Sequence, residues 1–261
     1  MIDKAHLIYF SPTRTTQQIV EQIAVGLGVQ QIEQHDLTLA ENGIDLQVDD
    51  GIAIIGVPVY AGRVPEVCLT RMQSLASSGA PAVLVALYGN REFEDALVEL
   101  NDVVYAKGFL VAAAGAFIGE HSYSTPEQPI AAGRPDAMDL DRAKAFGQAI
   151  AAKLHAGGPL TAPTIPGNIP YKDRVPLGGV APETDKDLCT LCGTCAKVCP
   201  TLVVEVDEEV VTAAESCVMC CACVKECPEQ ARTMNHPRVQ ERRALLIQNC
   251  SRRKEPETFL E

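Results

Sequence analysis

Eleven cysteines are spread very unevenly over 261 residues. Nine lie between positions 189 and 227, while Cys68 and Cys250 stand alone. Two stretches, CTLCGTCAKVCP (189–200) and CVMCCACVKECP (217–228), share the pattern C-x-x-C-x-x-C-x-x-x-C-P at an offset of 28 residues. Thiolates at this spacing bind iron. A cubane needs four thiolates on its corners. Three cysteines two residues apart wrap one face, and the fourth, before proline, lies too far round to close the same cluster and ligates the other. One set is then Cys189, Cys192, Cys195 and Cys227, and the other is Cys217, Cys220, Cys223 and Cys199. The expectation is two [4Fe–4S] clusters near each other, as short-range electron hopping requires. Zinc sites use pairs of C-x-x-C without the third cysteine or the C-P ending, and a disulfide framework needs a secreted context. Cys221 sits beside Cys220 but off the ligand spacing, and reads as a small packing residue.

A second stretch with chemical potential is YFSPTRTT (9–16). It holds the hydroxyls of Ser11, Thr13, Thr15 and Thr16, the cation of Arg14, and no glycine. Unpaired amides at a helix N-terminus favour an anion. Serine and threonine are equally favoured as plain helix caps, so a phosphate cradle and a polar turn both fit this loop by itself.

The elements that position these residues alternate between two periods. AHLIYF (5–10), QQIEQHD (30–36), GIAIIGVPVY (51–60), PAVLVALYG (81–89) and FLVAAAGAFI (109–118) read as strands. Between them, Ile19, Ile23 and Leu27 recur at helical spacing. PEVCLTRMQSL (65–75), EFEDALVELNDVVYAKG (92–108) and DLDRAKAFGQAIAAKLHAGG (139–158) complete the helical set, with Cys68 a core position on the first of these. Apolar strands alternating with helices predict an α/β fold, a five-stranded parallel sheet covered on both faces. In such sheets ligands bind at the carboxyl ends of the strands. The loops 11–16, 58–63 and 88–91 all follow strands and converge there. Residues 157–183 are rich in proline and glycine and read as a linker, partly extended. Residues 184–237 form a small α+β unit, in which TLVVEVDEEVVTAAE (201–215) reads as a hairpin around an acidic turn. The tail 238–261 is polar and basic, with an apolar segment ALLI that docks on the rest.

The cysteine segment looks like a bacterial two-cluster ferredoxin, and residues 1–156 resemble a flavodoxin. Together they are similar to the flavodoxin–ferredoxin fusion proteins of anaerobes. In flavodoxins the loop after the first strand reads hydroxyl-x-Thr-Gly-x-Thr and surrounds the phosphate of flavin mononucleotide (FMN). Ser11, Thr13 and Thr16 fall on the hydroxyl sites, Thr15 on a variable one, and Arg14 on the glycine. The resemblance implies that this loop keeps φ negative or changes shape, with Arg14 contributing a charge-assisted contact to phosphate. PVYAGR (58–63) resembles the second flavin loop, making Pro58, Val59, Tyr60, Ala61, Gly62 and Arg63 candidates, with Tyr60 covering the ring. YGNR (88–91) resembles the third, with Tyr88, Gly89, Asn90 and Arg91 as candidates. GEHSYS (119–124) also resembles the fusion family, and His121 reads as a hydrogen-bonded surface histidine or a functional one.

Composition narrows the class further. Thirty-four acidic residues against 22 basic ones leave a formal charge of −12. That balance disfavours nucleic acid and anionic membranes, and suits a protein partner with a basic docking surface. No signal peptide, membrane-length apolar run, dinucleotide fingerprint or P-loop lysine is found, so a cytoplasmic setting is expected. The leading expectation is an electron carrier passing low-potential electrons between two [4Fe–4S] clusters, an FMN and a redox partner protein. A flavin-dependent reductase using the clusters as an internal wire, a redox sensor, and a flavin-free docking module are the alternatives.

Overall fold

A computed structural model describes residues 2–261. The first part of the chain runs β1 (Lys4–Tyr9), α1 (Thr15–Leu27), β2 (Gln31–Asp36), β3 (Leu46–Gln47), β4 (Ile52–Pro58), α2 (Glu66–Arg71), β5 (Leu75–Ala76), β6 (Pro81–Tyr88), α3 (Ala96–Ala106), β7 (Leu110–Ile118) and α4 (Ala137–His155). The cysteine part runs β8 (Glu183–Thr184), α5 (Thr194–Lys197), β9 (Val204–Val206), β10 (Val210–Thr212), α6 (Ala222–Lys225) and β11 (Arg232–Thr233), followed by α7 (Pro237–Asn249) and β12 (Glu257–Phe259).

The five expected strands pair in parallel in the order β2-β1-β4-β6-β7. This is the flavodoxin-like order of doubly wound sheets, in which the crevice lies at the carboxyl ends beside the point where the order reverses. Period-two alternation divides the core. Ile8, Phe10, Ile55 and Leu84 face one side with Leu97 and Leu100 of α3. Leu7, Ile54 and Val85 face the other with Ile19 and Ile23 of α1 and Phe146 of α4. Helices α1 and α4 meet at Gly26 and Gly147. A Cβ on Gly26 would lie 2.0 Å from the Lys144 carbonyl oxygen, so only hydrogen fits between the two backbones.

The tail does more than dock. Leu246 and Arg243 of α7 are buried, and β12 returns to the first domain as a sixth, antiparallel strand beside β7, with Phe259 opposite Ala114. The edge that the five-strand expectation left open is thereby covered. The linker is laid along α3: Asp95, fully buried, accepts from the Asn168 and Lys172 amides at 2.8 and 2.7 Å. Burial pushes the Asp95 carboxyl up, but these amides and the Asn168 side chain outweigh it and hold the group below its usual range. β9 and β10 form the expected hairpin. No helix among the described residues is long and apolar enough to cross a membrane.

Candidate functional site

The cysteine repeat is a repeat of backbone as well as of sequence. Leu191 and Met219, Gly193 and Cys221, Leu202 and Gln230 are each 28 residues apart, and all six have positive φ. These reversals turn the chain around each set of thiols, and α5 and α6 start immediately after Gly193 and Cys221, carrying Cys195 and Cys223. The sulfurs gather in two groups. Cys189, Cys192, Cys195 and Cys227 line one small cavity. Cys199, Cys217, Cys220 and Cys223 line the other, with Cys221 at its margin. All eight are free thiols.

The two groups differ in exposure. Cys199, Cys217, Cys220 and Cys223 are all buried, whereas Cys192 is exposed. Burial pushes the Cys217 and Cys223 thiols up and carries Cys220 to about 12. A nearby metal cation favours the thiolate form of such buried donors, offsetting the effect of burial. Arg232, buried, reaches Cys223 Sγ at 3.6 Å and also lines the cavity of the first group. Nothing in its sequence context marked it. Cys221 packs with Val180, Met234 and Val239, its thiol pushed far up by burial.

A larger cavity of about 420 Å³ opens at the carboxyl ends of β1, β4, β6 and β7. Of the candidate residues, Thr13, Thr15, Thr16, Pro58, Val59, Tyr60, Ala61, Gly62, Tyr88, Gly89 and Arg91 line it. Its floor suits an anion. Ser11 Oγ accepts from the Gln17 amide at 3.1 Å, which leaves the Thr15 and Thr16 amides, at the start of a 13-residue helix, without an i−4 partner. Gly89 is required by close approach, because a Cβ there would lie 2.4 Å from Cδ2 of His121.

Four candidates are placed elsewhere. Ser11 is buried, its Oγ taken by the Gln17 amide, and does not line the cavity. Arg14 has a left-handed backbone, with φ 62°, and its side chain is 70% exposed, 3.9 Å from Glu226 of the cysteine domain. Of the two alternatives for this loop, a negative φ is ruled out, and the expectation of a guanidinium in the cradle is corrected. Arg63 turns away to pair with buried Glu99 at 2.8 Å and to stack over Tyr171. Asn90 holds the tail, donating to the Cys250 and Arg252 carbonyls and accepting from the Lys254 amide. Tyr88 borders the cavity, but its ring packs against Phe93 in the core and its hydroxyl is buried without a partner.

Sequence reasoning missed the rest of the wall. Lys172, Pro176 and Leu177 come from the linker, Val218 and Met219 from the loop between Cys217 and Cys220, and Arg238, Val239, Arg242 and Leu246 from α7. These segments reach the cavity only through the tertiary fold; the i, i+4 spacing of Arg238 and Arg242 was the one usable signal. Neither arginine forms an ion pair among the described residues. Tyr123, after β7, joins the halves by donating its hydroxyl to Met219 Sδ at 3.7 Å. His121 also lines the cavity. Its Nδ1 accepts the Tyr123 amide at 3.0 Å, which places the ring proton on Nε2. Burial, with Arg91, Lys225 and Arg243 nearby, holds the imidazole down to about 4.

Residues 181–228 match the family model described as a 4Fe-4S dicluster domain. No curated protein is matched. Similar solved structures include a flavodoxin from the domain Archaea, 14% identical over 58% of this chain and 99% of its own, with a TM-score of 0.38. A Streptococcus pneumonia TIGR4 flavodoxin is 19% identical over 57% of this chain and 99% of its own, with a TM-score of 0.40. An NAD(P)H:quinone oxidoreductase from Methanothermobacter marburgensis is 11% identical over 57% and 96%, with a TM-score of 0.38.

Proposed function

We propose that this flavodoxin–ferredoxin fusion is an electron-transfer protein carrying two [4Fe–4S] clusters and one FMN, and that it exchanges electrons with a protein partner whose docking surface is basic. Cys189, Cys192, Cys195 and Cys227 would hold one cluster, and Cys217, Cys220, Cys223 and Cys199 the other. The clusters supply one-electron chemistry at low potential, and a flavin supplies one- or two-electron chemistry. The observation that carries the reading is a shared wall: Met219 lies between two of the cysteines and lines the same cavity as Thr13 and Gly89.

The chain's own residues do the positioning. The α1 amides and the Thr13, Thr15 and Thr16 hydroxyls offer a phosphate donors and the positive end of a helix dipole. Gly62 and Gly89 let backbone approach a flat ring, and Tyr60 stands over the same space. His121 presents a neutral Nε2–H donor to the cavity, since Nδ1 is occupied by the Tyr123 amide. The linker and α7 narrow the cavity's opening to solvent.

Anaerobic purification followed by iron, sulfide and flavin counts on one sample tests the proposal. About eight irons and one FMN per chain are expected. Eight irons with no flavin would leave the first domain a docking module, and zinc in place of iron would end the electron-transfer reading. A second reading, a flavin-dependent reductase of a small anionic substrate, is favoured by the unpaired Arg238 and Arg242 at the cavity. It expects an Arg238→Gln/Arg242→Gln chain to keep both cofactor counts and lose turnover with anionic acceptors.

A further inference from the structure

The edge strand β2 carries almost no apolar burial: five of its six residues are exposed. It is tied to β1 by polar side chains on one face, none of which lines the cavity. His6 of β1 is buried, and β2 brings Glu33 beside it in register and His35 two residues further on. His6 Nδ1 lies 3.2 Å from His35 Nε2 and 3.4 Å from Glu33 Oε2. His35 Nε2 lies 3.9 Å from that same oxygen. Three points at these separations lie on a circle of radius about 2.05 Å. Zinc bonds to imidazole nitrogen and carboxylate oxygen are roughly 2.0–2.2 Å long.

We propose that His6, His35 and Glu33 form a binding site for a divalent transition-metal cation, with zinc the best fit, separate from the cysteine sets and from the flavin cavity. Two imidazoles and one carboxylate suit zinc and exclude calcium and magnesium, which take oxygen ligands. The surrounding residues are those a metal-binding histidine needs. His6 Nε2 is 3.0 Å from Asp50 Oδ1, so Nε2–H donates to the carboxylate and Nδ1 is left for the other two donors to face. Lys4 Nζ holds the far oxygens, Glu33 Oε1 at 2.9 Å and Asp50 Oδ2 at 3.2 Å, leaving Glu33 Oε2 free to bind through one oxygen. The imidazoles lie edge to edge, their planes 17° apart, and share a proton across the 3.2 Å gap. The cation takes that proton's place, the proton leaves to solvent, and the rings turn toward the centre of the triangle. His35 and Glu33 have room to turn, with side chains 20% and 51% exposed. Solvent supplies the fourth ligand. A cation here pins the edge strand to the sheet where the hydrophobic core does not reach it.

The test uses the cluster-loaded full chain, freed of loose divalent cations and dialysed anaerobically against micromolar zinc. One zinc per chain is expected, with the iron count unchanged. X-ray absorption at the zinc edge should show nitrogen and oxygen neighbours and no sulfur. His35→Ala should weaken binding about 100-fold, Glu33→Gln at least about tenfold, and Asp50→Asn about 10–100-fold through His6. Glu33 is exposed, so Glu33→Gln tests the site even where His35→Ala fails to fold. No zinc retained, a sulfur-bearing zinc shell, or wild-type affinity in the Glu33→Gln chain overturns the proposal. This site does not depend on the electron-transfer reading, and the two fail separately.

Discussion

Cys221 stands 28 residues after Gly193 and takes the same left-handed backbone, with φ 59° against 75°. Each residue follows the second cysteine of its repeat and precedes a short helix. The extra cysteine thus occupies a backbone reversal, with its sulfur turned to an apolar cluster that includes Val180 and Met234. A structural position with no share in the ligand set makes a sharp prediction. Cys221→Ser should keep about eight irons per chain, while Cys220→Ser should lose up to about four. The proposed crossed ligation adds a second contrast: Cys199→Ser should damage the cluster of the later repeat and Cys227→Ser that of the earlier one. Iron counts and low-temperature EPR on anaerobic samples check all four.

Arg14 holds a glycine's backbone with an exposed side chain. A left-handed residue with a Cβ costs roughly 1–2 kcal/mol, and glycine returns about 0.5–1 kcal/mol of that as lost chain entropy. Arg14→Gly should therefore be stabilised by up to about 1 kcal/mol in urea unfolding and should keep its flavin. Flavin loss in this variant would show that the guanidinium, and not the α1 terminus, holds the phosphate.

Asn90 exchanges three hydrogen bonds with the tail, at 2.6, 2.9 and 3.1 Å. Asn90→Gly preserves the positive φ and removes all three. A loss of about 2–3 kcal/mol is expected from bonds worth roughly 0.5–1.5 kcal/mol each. Limited proteolysis should then cut near residue 250 well before the sheet domain. Unchanged protection of the tail would mean that β12 alone anchors it.

His121 is neutral in the folded chain and held to about 4 from an ordinary value of 6.5, chiefly by burial. Between those values the unfolded chain binds a proton that the folded chain does not. Its contribution is therefore intact above about pH 6.5 and lost as pH falls toward 4, by about 2 kcal/mol at pH 5. His121→Gln should flatten the dependence of unfolding free energy on pH between about 5 and 7. A wild-type slope retained in that variant would place the titrating group elsewhere.

The sequence by itself determined the sheet, its five parallel strands and the eight grouped cysteines. Each rests on local regularity: period-two and period-3.6 burial, and a duplicated motif whose offset fixes which thiols can meet. Tertiary structure alone decided how the three loops after β1, β4 and β6 were used. Ser11, Arg63 and Asn90 carry the right chemistry in the right loops, yet the helix start, buried Glu99 and the returning tail claim their polar groups first. The same holds for the walls supplied by Met219, Lys172 and Arg242. They share one cavity with Thr13 and Gly89 although they lie far from both in sequence, and no local pattern records a wall built by the packing of distant segments. The His6–His35 pair is likewise invisible in sequence, since only parallel pairing of β1 with β2 sets the two rings side by side.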